Sequence, residues 1–194
     1  MAKRIVIIQG HPDSDPRRLC RALAEAYAEG AAAAGHATTR VDLATLDFPL
    51  LRTQDAFEHG ALPAGLAAAQ HAIQNADHLV LIFPLWLGTM PALVKAFLEQ
   101  VMRPGTAFAY RASGFPEKLL AGRSARVVVT MGMPVFAYRW WFMGHGIKGL
   151  ERSILRFVGI KPIRESLFGM VANASESRRQ RWLARMREFG CKAI

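Results

Sequence analysis

The chain has 194 residues, of which 52% are hydrophobic and 21% charged, an ordinary globular composition whose length suits one domain with a sizeable core. No segment reaches the roughly 18 apolar residues of a spanning helix, and the opening MAKRIVIIQG carries an apolar run of only Ile5–Ile8, so neither a membrane span nor a secretory leader is expected. The net charge of +10 is uneven, with 8 Lys/Arg against 10 Asp/Glu in residues 1–100 and 17 against 5 in residues 101–194; a basic second half attracts phosphates on a dinucleotide, a nucleic acid or a lipid surface, but no nucleic-acid motif accompanies it, which sets that class aside.

In chain order, Lys3–Gln9 is a continuous apolar run and predicts a central strand covered on both faces. From Asp15-Pro16 onward, Leu19, Leu23, Ala26 and Tyr27 recur at helical spacing, with Asp15 as cap, Pro16 in the first turn and Gly35 as stop. Thr38–Leu43 reads as a second strand, Asp47–Gly60 as irregular and Leu62–Asn75 as a second helix. Leu79–Phe83 is the third strand, and Pro91 opens a third helix with Leu93, Val94, Phe97, Leu98 and Val101 on one stripe. Arg126–Met131 supplies the fourth strand, Ile147–Val158 a helix, Ile163–Val171 the fifth strand and Glu176–Phe189 the last helix. This alternation predicts an α/β fold, a five-stranded parallel sheet with helices on both faces, in a single domain over 1–194. In such sheets ligands bind outside the carboxyl ends of the strands at the switch point, which directs attention to the loops beginning at Gly10, Pro84 and Met131.

The first loop, GHPDSDPRRLC, runs into a helix N-terminus suited to an anion, with His11, Ser14, Arg17 and Arg18 able to meet a phosphate. It lacks GxGxxG and the Walker lysine-serine pair, so neither a dinucleotide Rossmann site nor an ATP site is indicated. The second loop places Leu85, Trp86 and Leu87 where a polar connection is expected after Pro84. Leaving them in water forgoes about 1.5–3 kcal/mol for each side chain, so a flat aromatic ligand, a partner chain or the protein's own core must cover them. The third loop, TMGMPVFAYRWWFMGHG, combines Thr130 and Gly132 with Tyr138 and His145, side chains able to donate to a developing charge or relay a proton. Cys20 and Cys191 match no CxxC or zinc spacing, which predicts two unpaired thiols, no metal site and a reducing, cytoplasmic setting.

GHPDSD, FPLWLGTMPALVKAFLEQV followed by GTAFAY, the run from Thr130 and Gly132 through Tyr138 to His145, and FVGIKPIRESLFG together cover nearly the whole chain. In these segments the chain resembles the flavodoxin-like NAD(P)H:quinone oxidoreductases, which include quinone reductases, drug-activity modulators and regulatory subunits of potassium efflux systems. The resemblance implies a flavodoxin-like doubly wound sheet with strand order 2-1-3-4-5, non-covalent FAD or FMN, NAD(P)H as co-substrate, and a homodimer. It implies hydride transfer to the flavin and then to a quinone or another small aromatic acceptor such as an azo or nitro compound. His11, Arg17 and Arg18 would lie near the flavin phosphate, and Pro84, Leu85, Trp86 and Leu87 along the isoalloxazine. Thr130 and Gly132 would flank its polar edge, while Tyr138 and His145 would stabilise the charge on the reduced ring. The alternative within the resemblance is a flavin-bearing regulatory subunit with incidental reductase activity. The apolar run Arg139–Met143 would cover the substrate pocket or the dimer partner, and a peripheral membrane contact stays open.

Overall fold

Five strands alternate with helices along the chain and pair into one parallel sheet: β1 (Arg4–Gln9), β2 (Ala37–Asp42), β3 (His78–Pro84), β4 (Ser124–Thr130) and β5 (Ile163–Phe168). Their spatial order is β2-β1-β3-β4-β5, the order expected from the resemblance, in a computed structural model that describes all residues from Met1 to Ile194. The register sets Gln9 beside Ile82, and Pro84 beside Thr130, so the carboxyl ends of β1, β3 and β4 open side by side. Seven α-helices accompany the strands: α1 (Leu19–Ala33), α2 (Gln54–Glu58), α3 (Ala67–Asn75), α4 (Ala92–Val101), α5 (Val135–Trp140), α6 (His145–Gly149) and α7 (Glu176–Lys192). None is long and apolar enough to cross a membrane.

Side chains alternate across a strand, and the central strands carry buried apolar residues on both faces, so each contributes to two cores. Ile5, Ile7, Val80, Ile82 and Val128 pack with Leu23 and Tyr27 of α1 and Met186 of α7. Val6, Ile8, Leu81, Phe83, Val127 and Val129 pack with Ile73 of α3 and with Val94, Phe97 and Leu98 of α4. The stripe expected on the third helix is therefore the buried one. Gly30 of α1 and Gly190 of α7 mark the closest approach of those two helices: a β-carbon at Gly30 would stand 1.9 Å from the Arg187 carbonyl oxygen, and one at Gly190 would stand 2.0 Å from that of Tyr27.

Several boundaries differ from the expected ones for physical reasons. α1 begins at Leu19, and Asp15 does not cap it. The Asp15 carboxylate instead accepts from the Arg17 backbone N–H at 2.9 Å and from its guanidinium at 2.8 Å, while Arg18 pairs with Asp13. These charge-assisted bonds within residues 13–18 hold the segment in a turn of its own. The second helix opens as a 3₁₀ turn at Ala64–Leu66 and becomes α-helical only from Ala67, since Pro63 and Gly65 are poor helix formers. The stretch expected to be irregular contains α2, whose start is capped by Thr53 accepting from Ala56 N–H at 3.0 Å. The last strand stops at Phe168, because Met170 takes a φ of 56° and the chain bends so that Met170 and Val171 donate to Met133 and Met131. The helix expected from Ile147 begins at His145 and continues past Gly149 as a π-helical segment, Leu150–Leu155. Helix α5 and a two-residue hairpin, Phe108–Ala109 with Glu117–Lys118, had no counterpart in the sequence pattern.

Candidate functional site

Loops from β1, β3 and β4 meet at the carboxyl end of the sheet. The first is tied to its neighbour by Gly10 N–H donating to the Ile82 carbonyl at 2.7 Å, and the His11 ring meets the Trp86 ring edge-on with centroids 6.2 Å apart. Half-burial and the Arg18 guanidinium hold the His11 imidazole below its usual pKa. α1 carries no side-chain cap at its start. The N–H groups of Leu19 and Cys20 have no acceptor within the chain, while that of Arg21 already donates to the Arg18 carbonyl at 2.9 Å, and with the positive dipole end the two free groups make a seat that suits an anion. Arg17 and Arg18 flank that seat but are engaged by Asp15 and Asp13, so an incoming anion competes with two carboxylates for them.

The second loop divides its four expected residues into two kinds. Pro84 is the buried last residue of β3, and Leu85 packs on the core while donating its N–H to the Thr130 carbonyl at 2.8 Å. Trp86 and Leu87 are exposed, carried on a tight turn closed by Trp86 and Thr89 exchanging backbone bonds of 2.9 and 3.0 Å. Leu87 takes a φ of 47°, a strained setting for a bulky residue, and strain of this kind persists where a site's geometry demands it.

The third loop is built differently from what the sequence suggests. Thr130 is buried and its hydroxyl meets Cys20 Sγ at 3.2 Å, while burial pushes that thiol up to about 11. Gly132 is open, with no atom near the place a side chain would occupy. The backbone N–H groups of Leu87, Gly88, Gly132 and Met133 have no acceptor within the chain. Together these loops offer an apolar surface bordered by free backbone donors, with an anion seat at one end. That combination suits a flat heteroaromatic molecule carrying a phosphate.

Tyr138 is buried, and its hydroxyl donates to the Gly88 carbonyl at 3.1 Å and accepts from Ile147 N–H at 3.2 Å. It thus clasps the second loop to α6, and burial raises its pKa. Gly146 completes the clasp, for a β-carbon there would stand 2.2 Å from the Gly88 carbonyl oxygen. His145, next to it, is exposed and lines a groove of about 790 Å³ together with Trp86, Leu87, Lys95 and Ser153. Lys95 and Ser153 were not singled out by sequence. Their only signal is a polar residue on the outer side of an apolar helix stripe, which ordinarily means solvent exposure.

Behind the clasp, Glu151 and Glu165 share a hydrogen bond, and Arg139 donates to Glu165 at 3.0 Å. Burial, then the Glu165 charge, pushes Glu151 up to about 7. Because this acid has its folded pKa above its usual 4.5, folding takes up a proton between those values, and stability falls as pH rises from about 4.5 to about 7. Glu151→Gln keeps a donor toward Glu165 without the ionisation. Urea denaturation is expected to show the variant gaining on the parent between pH 5 and pH 8 by about 1 kcal/mol, a figure kept small because the group is partly solvated. An equal difference at both pH values would show that the pair does not share a proton.

The sequence pattern of the flavodoxin-like fold family matches residues 3–189. An uncharacterised NAD(P)H oxidoreductase of Haemophilus influenzae is 27% identical over 169 residues, covering 84% of this chain and 82% of that one. An FMN-dependent NADH:quinone oxidoreductase of Photobacterium profundum is 30% identical over 88 residues, 45% of each chain, so that match spans less than half of the relative. Among solved structures, the NAD(P)H:quinone oxidoreductase from Methanothermobacter marburgensis superposes with a TM-score of 0.81 over 99% of this chain and 97% of that one, at 24% identity, and attests the fold. With its sequence matched from the first strand into the last helix and its sheet in the same order, the chain belongs to the flavodoxin-like fold family.

Proposed function

We propose that this protein is a flavin-dependent NAD(P)H oxidoreductase that reduces quinones, and in the same pocket azo or nitro compounds, in two alternating half-reactions. The observation that carries the reading is the exposed platform of Trp86 and Leu87 set among the unpaired N–H groups of Leu87, Gly88, Gly132 and Met133. The names of the Haemophilus and Photobacterium relatives support the reaction class, and the latter supports FMN over FAD. The fold reading is a doubly wound single domain with helices on both faces of the sheet.

The flavin, when bound, supplies the hydride relay between nicotinamide and acceptor. The chain's own part is to bind, orient and tune it. The uncapped start of α1, with His11, Arg17 and Arg18 beside it, would hold the phosphate. Trp86 and Leu87, on the base of Pro84 and Leu85, would hold the ring and exclude water from it. Gly132 leaves its N–H free for the polar edge, and Thr130 backs that turn through its bond to Cys20. His145 stands in the groove able to donate toward a charge developing on the ring, and Tyr138 holds the turn and the helix that set its distance. A second copy of the chain closes the groove over Leu87, giving a homodimer with a quinone-sized space at the interface. The setting is cytoplasmic.

The deciding experiment is to denature the purified protein, identify the released flavin by mass, and assay the holoprotein with NADH, NADPH and a panel of quinones. Colourless protein that takes up neither FMN nor FAD overturns the reading. Tyr138→Phe leaves Ile147 N–H and Gly88 C=O without their partner, a loss of about 1–3 kcal/mol for each buried group. The expected result is a roughly tenfold slower reduction by NAD(P)H, with flavin affinity little changed. Stopped-flow reduction traces matching the parent's would show that the clasp Tyr138 makes between the second loop and α6 does not govern the reduction.

A further inference from the structure

Five large apolar side chains stand in water within a single short stretch: Phe136 at 69% exposure, Trp140 at 80%, Trp141 at 84%, with Phe142 and Met143 about half exposed. None of them lines the groove that holds Trp86, Leu87 and His145. Aromatic side chains of this size carry about 150–250 Å² each, so the patch exceeds the few hundred Å² of apolar surface a monomer ordinarily leaves open. We propose that this α5 face docks on an anionic lipid bilayer, a peripheral contact that brings the pocket to quinones dissolved in the membrane. The second half of that statement rests on the functional reading above; the docking itself does not.

Three observations favour a bilayer over a second copy of the chain. The first is charge: the chain is +10 overall, with the excess in residues 101–194, so an anionic surface complements this basic half as a second, equally basic copy does not, and it attracts the chain equally when a partner closes the other face over Leu87. Lys148, at the edge of the patch beside Met143 and Gly144, makes no ion pair, and neither do Arg152 and Arg156, which lie close enough to Glu151 to act on its carboxyl. Arg139 is the one cation of the patch that is already neutralised, by Glu165.

The second is geometry. Phe136 and Trp140 share one side of α5, but Trp141 follows at the next position and projects about 100° away. A protein partner wants a stripe, whereas side chains splayed around a helix end suit a deformable medium. The third is chemistry: Trp at the water boundary with unpaired Lys and Arg nearby is the combination that anchors proteins at the headgroup level. The patch also lies where it is useful. Only Phe142, Met143 and Gly144 separate Trp141 from His145 in the groove, so a quinone ring entering from the membrane meets the pocket beside the anchoring aromatics.

The test is co-sedimentation of the flavin-loaded protein with vesicles of phosphatidylcholine alone and of phosphatidylcholine with phosphatidylglycerol, at low and high salt. Binding to the anionic vesicles only, weakened by salt and accompanied by a blue shift of tryptophan emission, is expected. The double variant Trp140→Ser, Trp141→Ser should lose at least about tenfold in vesicle partitioning, while its turnover of a water-soluble quinone in solution stays at the parent's level. Equal partitioning of parent and double variant, or none by either, overturns the proposal. So does light scattering in which the double variant loses an association state that the parent has while neither binds vesicles, since that assigns the patch to a second copy. Absent turnover of the soluble quinone with vesicle binding intact would count against the functional reading and leave the docking standing.

Discussion

Replacing Gly146 by alanine is expected to lower kcat/KM for quinone reduction by on the order of 10²-fold while the protein remains folded. The added β-carbon would lie 2.2 Å from the Gly88 carbonyl oxygen, 2.7 Å from Thr89 Cα and 2.9 Å from Thr89 Cβ. An ordinary carbon–oxygen contact is about 3.3 Å, so the second loop and α6 must separate by roughly 1 Å, a misplacement that costs about 10²-fold where geometry sets the rate. The obstacle is backbone on a tight turn, which cannot rotate away as a flexible side chain would. The same separation breaks the Tyr138 bond to Gly88 and moves His145 from Trp86 and Leu87. Steady-state kinetics with circular dichroism would show the loss, and Gly65→Ala, whose β-carbon meets only Asp47 O at 3.7 Å, is the matched control. Unchanged kinetics in Gly146→Ala would mean that the clasp does not govern the reaction.

Gly30→Ala is expected to destabilise the fold by about 3 kcal/mol, the upper end of ordinary overpacking. Two effects oppose each other here. Alanine in the body of α1 gains up to about 1 kcal/mol of helix propensity over glycine, but its β-carbon would sit 1.9 Å from the Arg187 carbonyl oxygen and 2.7 Å from the carbonyl carbon of α7. The clash wins because α7 cannot retreat as a unit: Gly190 meets Tyr27 at 2.0 Å by the same measure, and Met186 is locked into the core beside Tyr27. For a chain of this size about 3 kcal/mol corresponds to a fall in Tm of roughly 6–12 °C. Thermal unfolding followed by circular dichroism measures it, and a melting point at or above the parent's would show that the two helices slide apart at little cost.

The packing that makes Gly30 costly joins residues distant in the chain, and the same contrast between local and distant determines what could be read from sequence. Apolar runs such as Ile5–Ile8 and Leu79–Phe83 are buried on both faces because a central strand between helices has no polar side, so composition alone sufficed to place them. The stripe Val94, Phe97, Leu98 and Val101 is legible for the same reason, since helical spacing records one buried face. The alternation of these elements carries the sheet class, and the three loops at the strand ends follow from it.

Other features depend on contacts for which a single sequence has no signal. The start of α1 moved to Leu19 because Arg17 and Arg18 bond to Asp15 and Asp13, an outcome decided by side-chain geometry rather than by residue type. Helix α5 is short and leaves Phe136 and Trp140 in water, so it never shows the amphipathic period that marks a helix. Thr130 is turned inward by Cys20, 110 positions away, and the Tyr138 hydroxyl is held by Gly88, 50 positions away. Sequence identified these side chains as chemically able; tertiary packing chose their partners, because a hydrogen-bonding group takes whichever neighbour the fold brings within about 3 Å of it.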